Sequence, residues 1–147
     1  MNVDMTKSNL QDCNLAGSDC SGALFSDANL EGANLKGARL NDANLDQVNA
    51  QKANFSECEL ENASFFGANL SQALFNQAQC KGASFETANL TEASFIEAAL
   101  DNATFDKADL NVCDLSASVL SGVSFNEAIL KQTKFCQAQG TGVKFCL

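Results

Sequence analysis

In FSDANLEGANLKGARLNDANL, residues 25–45, a large apolar residue stands at every fifth position, and Ala28, Ala33, Ala38 and Ala43 each precede the next one by two. With the apolar centre taken as position i, this frame runs from Met5 to Phe145 without insertion or deletion. Of its 29 centres, fourteen are Leu and ten are Phe; the others are Met5, Cys20, Ala50, Cys80 and Gly140. Ala fills 18 of the 29 i−2 positions, with Ser, Cys, Thr or Val at the rest. Asn, Asp and Ser dominate i−1, and eight of the nine glycines fall at i+2.

A period of five fits neither regular element. On an α-helix five residues turn about 500°, about 140° past a full turn, which scatters the apolar positions around the axis. On a flat strand an odd step sends alternate centres to opposite faces. A short extended piece satisfies the pattern: i−2 and i point inward at local period two, and a turn follows before the next piece. Gly, Asn and Asp supply the turn chemistry. A chain that bends the same way in every unit winds into a coil, and repeats of this kind are the first thing to establish about a fold.

Centres twenty residues apart share an identity. Positions 25, 65, 85, 105, 125 and 145 are all Phe with Leu45 among them, while 10, 30, 70, 90, 110 and 130 are all Leu with Ala50 among them. The other Phe centres, 55, 75, 95 and 135, lie ten residues out of phase with the first set. Four pentapeptides per turn explain this: Phe stacks on Phe along two opposite walls and Leu fills the other two. Ala50 and Gly140 are expected to loosen packing where they occur.

The A(N/D)(L/F)xx frame, kept over essentially the whole chain, resembles the pentapeptide-repeat proteins. The resemblance implies an all-β fold, a right-handed quadrilateral β-helix. About seven coils of 20 residues, stacked at the roughly 4.8 Å inter-strand spacing, form a rod of about 34 Å. One domain is expected over residues 1–147, with a dry interior and nearest-neighbour stability.

Composition removes much chemistry. There is no His, Pro, Trp or Tyr, hence no imidazole base, His metal ligand or Ser-His-Asp arrangement. Seven Cys at 13, 20, 58, 80, 113, 136 and 146 contain no CxxC spacing. Cys13, Cys20, Cys58, Cys80 and Cys113 occupy inward positions and read as buried thiols, whereas Cys136 and Cys146 at i+1 face outward. Free thiols fit a reducing compartment. No apolar run has the length of a membrane span, and residues 1–20 lack a signal-peptide core; a cytoplasmic location without membrane association is expected. Glu59 and Glu61 stand at i−1 and i+1 of one unit on a convex wall, which offers neither water exclusion nor a third ligand. No enzyme activity, metal or cofactor is expected. Asn9, Asn29, Asn49, Asn69 and Asn89, followed by Asp109, form an i−1 ladder whose amides can hydrogen-bond along the axis.

Eighteen acids against nine bases leave a net charge of −9, which disfavours direct nucleic-acid binding and favours a basic protein partner. Sorted by wall, the acids concentrate on two adjoining walls. Their shared edge carries Asp19, Asp27, Asp42, Asp46, Glu59, Glu61, Glu86, Asp101, Asp106 and Glu127, a candidate acidic interaction edge. Such walls suit a non-enzymatic protein-binding scaffold of a bacterial cytoplasm. The resemblance implies an alternative, because the quinolone-resistance members of the family bind DNA gyrase or topoisomerase IV by imitating duplex DNA. The present frame lacks the projecting loops and C-terminal helix of that group, and its net charge is under half the density of a duplex, which carries one charge per roughly 1.7 Å.

All 18 acids lie in residues 1–127, whereas residues 128–147 carry only Lys131, Lys134 and Lys144. Outward apolar residues gather at the same end. Val119, Ile129, Lys131, Lys134, Lys144, Phe145 and Leu147 form a candidate C-terminal association surface. The frame begins at Val3 and leaves no room for a cap helix, so end-on self-association is expected, either tip-to-tip as a homodimer or head-to-tail.

Overall fold

In the computed structural model, which describes residues 3–144, each pentapeptide pairs with those twenty residues away. Parallel bridges join Asp4 to Leu24, Asn9 to Asn29 and so on, one per unit, up to Ser124 with Lys144. Pentapeptides therefore fall into four columns. Bridges and turns make up the secondary structure of the described residues, and no helix among them is long and apolar enough to cross a membrane.

The unit around Leu30 shows why five residues suffice. The N–H of Leu30 donates to Asn49 O at 2.6 Å and that of Gly32 to Gln51 O at 2.9 Å, both toward the following coil. The N–H of Asn29 donates to Ser8 O at 2.9 Å in the preceding coil. That of Ala28 closes the preceding turn on Phe25 O at 2.9 Å. The fifth, from Glu31, donates to the side-chain Oδ1 of Asn29 at 3.2 Å. Every N–H of the unit is thus satisfied, as burial against a core requires. The preference for Asn or Asp at i−1 follows directly, since a short side-chain oxygen there reaches the N–H two residues on.

The turn demands a left-handed residue at i+2. Eight glycines take φ between 64° and 70° there, and twenty non-glycine residues take φ between 55° and 61°. Gly needs no compensation in this region, whereas a β-branched residue is strained.

Inward, Ala at i−2 and Leu or Phe at i are almost all fully buried from Ala23 to Phe125. Rings stack along two columns: Phe55 on Phe75 at 4.9 Å, Phe75 on Phe95 at 4.6 Å, Phe65 on Phe85 at 5.0 Å and Phe85 on Phe105 at 4.8 Å. These spacings match the inter-strand distance. The two stacks also meet each other across the core, edge to face, as in Phe65–Phe75 at 5.6 Å and 86°. Each such pair adds about 0.5–1.5 kcal/mol beyond area burial.

The two irregular centres behave differently. Ala50 is completely buried and its N–H still reaches Asn69 O at 2.8 Å, so the register passes through it unbroken. Gly140 opens an apolar hollow of about 190 Å³ lined by Leu120, Phe135, Ala138, Gln139, Gly140 and Val143. The preceding coil leaves no room for a side chain here: a Cβ on Gly140 would lie 2.6 Å from the carbonyl carbon of Leu120.

Cys20, Cys58, Cys80 and Cys113 are buried free thiols and Cys136 is exposed. Cys13 departs from expectation and is only half-buried, as are the inward positions from Met5 to Ser18 of the first coil; the inward positions are buried from its last centre, Cys20, to Phe125. Cys146 lies outside the described residues. Burial pushes the Cys58 and Cys113 thiols up to about 12 and raises that of Cys80 as well; Cys58 Sγ donates to Leu35 O at 3.0 Å.

Val112 is a β-branched corner residue with φ 61° and an exposed side chain. Such strain costs on the order of 1–3 kcal/mol, so Val112→Asn should stabilise the protein by about 1 kcal/mol in thermal denaturation; an unchanged midpoint contradicts the strain. The raised thiols favour the protonated form in the folded state. Their stability contribution is full below the ordinary thiol pKa of about 8.5 and is lost as pH rises toward the folded values. Melting curves of Cys58→Ala/Cys113→Ala should accordingly fall less steeply than wild type between roughly pH 8 and 10, and identical slopes would contradict the assignment.

Candidate interaction surface

The ten acids of the proposed edge sit on two adjoining columns, those centred on 20, 40, 60 and onward and on 25, 45, 65 and onward. Asp19, Asp27, Asp42, Glu59, Glu61 and Glu127 are exposed; Asp46, Glu86, Asp101 and Asp106 are half-buried. They do not all present free charge. Bridges align Asp19, Arg39 and Glu59 in one column, and the Arg39 guanidinium forms a salt bridge with Asp19. The Ser21 hydroxyl and N–H, together with Arg39, hold the Asp19 carboxyl below the usual carboxylate range.

Asp46 and Asp106 serve the backbone. Asp106 Oδ1 accepts from Ser124 Oγ at 2.6 Å and from the Asn126 N–H at 2.9 Å. Asp46 Oδ1 accepts from Ser64 Oγ and from the Phe66 N–H at 3.1 Å. In both cases the i−1 residue of the following coil is Ser, and the Asp eighteen residues earlier supplies the oxygen that the i+1 N–H needs. Asn76 does the same for Ser94 and Ile96. The signal in the sequence is an Asp or Asn at i+1 with Ser eighteen residues later, which inspection of single pentapeptides does not reveal.

Glu59 and Glu61 remain as the place where the edge converges. With Asn41 and Gln79 they line a shallow recess. Asn41 Nδ2 donates to Glu59 Oε2 at 3.1 Å, and Asn41 Oδ1 accepts the Glu61 N–H at 2.9 Å. The amide fixes the backbone beneath two carboxylates that face solvent, an arrangement suited to an incoming ammonium or guanidinium group. Among the described residues no group of three or more Cys, Asp or Glu is placed to hold a metal ion.

On the opposite side the Asn ladder forms. Asn49 Nδ2 donates to Asn29 Oδ1 and Asn69 Nδ2 to Asn49 Oδ1, both at 3.1 Å, with longer links of 3.4 Å from Asn29 to Asn9 and from Asn89 to Asn69. These amides are occupied with one another and with their own turns.

At the C-terminal end, Val119 and Ile129 are exposed, as are Lys131, Lys134 and Lys144. Lys134 Nζ lies 3.7 Å from Asp114 Oδ2. Phe145 and Leu147 lie outside the described residues.

Removing the structural acids should expose their role. Asp106→Ala leaves the Asn126 N–H and Ser124 hydroxyl without their acceptor and should cost about 1–3 kcal/mol. Asp27→Asn, which removes the charge at an exposed corner with φ 59° and keeps a residue suited to the left-handed region, should change stability by less than about 0.5 kcal/mol. Urea denaturation of the two variants decides this, and equal midpoints would remove Asp106 from the framework.

A family model described as pentapeptide repeat region matches residues 3–85 and 88–147, and a second, described as pentapeptide repeats, matches residues 68–106. No curated protein matches the chain. Among solved structures, it is similar to two trypsin-treated single-substitution forms of QnrB1, a plasmid-mediated fluoroquinolone resistance protein. One has a TM-score of 0.60 at 18% identity, covering 93% of this chain and 82% of that one. The other has a TM-score of 0.55 at 19% identity, covering 94% and 80%. HetL, a pentapeptide repeat protein involved in heterocyst differentiation regulation in the cyanobacterium Nostoc, matches at 21% identity with a TM-score of 0.42, covering 95% and 75%. With both family matches set on a coil that pairs each pentapeptide with the one twenty residues on, the chain belongs to the pentapeptide-repeat family of right-handed β-helices.

Proposed function

We propose that this chain is a non-enzymatic binding scaffold. It is a single four-sided domain of about seven coils that works in the cytoplasm by presenting an acidic face to a basic surface of a protein partner. The observation that carries this reading is the recess at Glu59 and Glu61, with Asn41 and Gln79 around it. Inward positions are consumed by packing, and Asp46 and Asp106 by the backbone. The exposed carboxylates of Asp27, Asp42, Glu59, Glu61 and Glu127 are what the edge leaves for recognition. Charge complementarity of this kind sets partner choice and association rate.

A second reading is favoured by the likeness in fold to QnrB1, a fluoroquinolone resistance protein, together with acids on adjoining faces of a rod. In it the protein imitates duplex DNA and binds a type II topoisomerase, DNA gyrase or topoisomerase IV. The net charge of −9 disfavours direct nucleic-acid binding in either case.

Two experiments separate the readings. Affinity capture from host lysate with wild type and with Asp42→Asn/Glu59→Gln/Glu61→Gln should recover a partner that the variant loses; capture unchanged by the variant contradicts the acidic recess. Gyrase supercoiling with and without a quinolone tests the second reading, which requires inhibition or protection at low-micromolar protein.

A further inference from the structure

The acidic recess sits partway along one column, and the column changes character there. In the column centred on 20, 40, 60 and onward, the outward i−1 residues are bridged in succession: Asp19, Arg39, Glu59, Gln79, Ala99, Val119 and Gln139. The first three are charged and the last four are not. Arg39 neighbours both Asp19 and Glu59, yet its guanidinium pairs with Asp19. The ion pairs among the described residues involve neither Glu59 nor Glu61. The recess thus holds two carboxylates that the chain's own cations leave unpaired.

Beyond the recess the column turns apolar. Ala99 with Val119 is the one bridge among the described residues that joins two apolar side chains; Leu24, Leu74 and Ile129 are each bridged only to polar ones. Ile96 stands at the corner leading into Ala99, and it is 37% exposed, with Val119 at 39%. Glu97 beside it is drawn back toward the preceding coil, where Gln77 Nε2 donates to its Oε2 at 2.8 Å. Single exposed apolar residues are ordinary on a surface, whereas contiguous ones mark a contact face. The backbone of this face is closed. The N–H groups of Gln79, Ala99 and Val119 donate to the carbonyls of Cys58, Ala78 and Ala98, and their own carbonyls accept from Leu60, Cys80 and Leu100, all at 2.7–3.0 Å. An extended segment laid here would find no backbone partner for its own polar groups. An α-helix satisfies its backbone internally and needs only side-chain contacts.

We propose that this column docks an amphipathic α-helix of a basic protein partner, lying along the rod with a lysine or arginine in the recess at Glu59 and Glu61 and apolar side chains over Ala99 and Val119. The proposal rests on the reading of the recess as a cation site and extends it to a face of defined length. Ala99 lies two coils beyond Glu59, about 10 Å, and Val119 three coils beyond, about 14 Å. On a helix rising about 1.5 Å per residue, residues seven and eleven positions from the cation share its face and fall within about 2 Å of these levels. The apolar contacts supply the buried centre of the interface, and the carboxylates fix which way the helix lies.

The probe is a fluorescein-labelled, Ala-rich helical peptide with Arg at one position and Leu seven and eleven positions later. A control peptide carries the Leu residues five and nine positions later, on the other side of the helix. In anisotropy titrations with the full chain, the first peptide should bind at least tenfold more tightly than the control. Ile96→Ser/Val119→Gln should lower its affinity at least tenfold. Ser56 and Ser116 already occupy the column position of Ile96, and Gln79 and Gln139 that of Val119; circular dichroism establishes folding, and Val119→Gln alone carries the comparison if the double variant unfolds. Glu59→Gln/Glu61→Gln should weaken binding as well. Weakening by this variant but not by Ile96→Ser/Val119→Gln would keep the recess and overturn the longer docking face. Weakening by the apolar variant alone would overturn the recess as a cation site, and the proposal with it. A first peptide that binds no more tightly than the control, or not at all, overturns the helix while leaving partner capture through the recess untouched.

Discussion

The corner residue governs this molecule. A backbone that must turn after every few residues, always in the same sense, needs one residue per unit held in the left-handed region, and the fold places it at i+2 throughout. The cost of that conformation recurs with every unit, so it has to be offset within the unit itself. The same residue donates its N–H to the following coil, and the turn it closes presents Ala and then Leu or Phe to the core. Corner, inter-coil bond and inward packing form one repeating balance, and stability accumulates by neighbouring coils as in other solenoids.

That balance divides polar side chains into two populations that composition alone mixes. Asn29, Asn49 and Asn69 are tied to their own turns or to one another. Asp46 and Asp106 bridge to the coil above. They are polar because the i+1 N–H must be satisfied where strand and turn leave it unpaired. The carboxylates of Glu59 and Glu61, by contrast, reach solvent, although the Glu61 backbone is held by Asn41. A surface reading of an acidic repeat protein has to subtract the first population before the second can be interpreted.

The five-residue frame, the twenty-residue columns, the aromatic stacking and the Asn ladder were all legible in the sequence, because each depends on residue identity at a fixed spacing. The meeting of the two Phe stacks edge to face was not, since spacing says which rings share a column but not how far the columns reach across the core. Sequence position alone marks Asp46 and Asp106 as recognition charges, because their partners, Ser64 with Phe66 and Ser124 with Asn126, belong to the next coil, where the aspartates replace a missing side-chain acceptor. Cys13 stands at an inward frame position yet is half-buried, because frame position fixes direction and not how much of the neighbouring coil covers it.

The unbroken run of bridges between residues twenty apart carries a consequence for how such a chain can change length. Loss or gain of five residues preserves every local turn and keeps inward positions inward, yet it carries all later units round to a neighbouring column. Phe85 would then lie over a Leu column and Leu90 over a Phe column, and the ring stacks would be severed at that level. A change of twenty residues leaves every column intact. Viable length variants of this rod are therefore quantised in whole coils, although its sequence repeats in quarters of one.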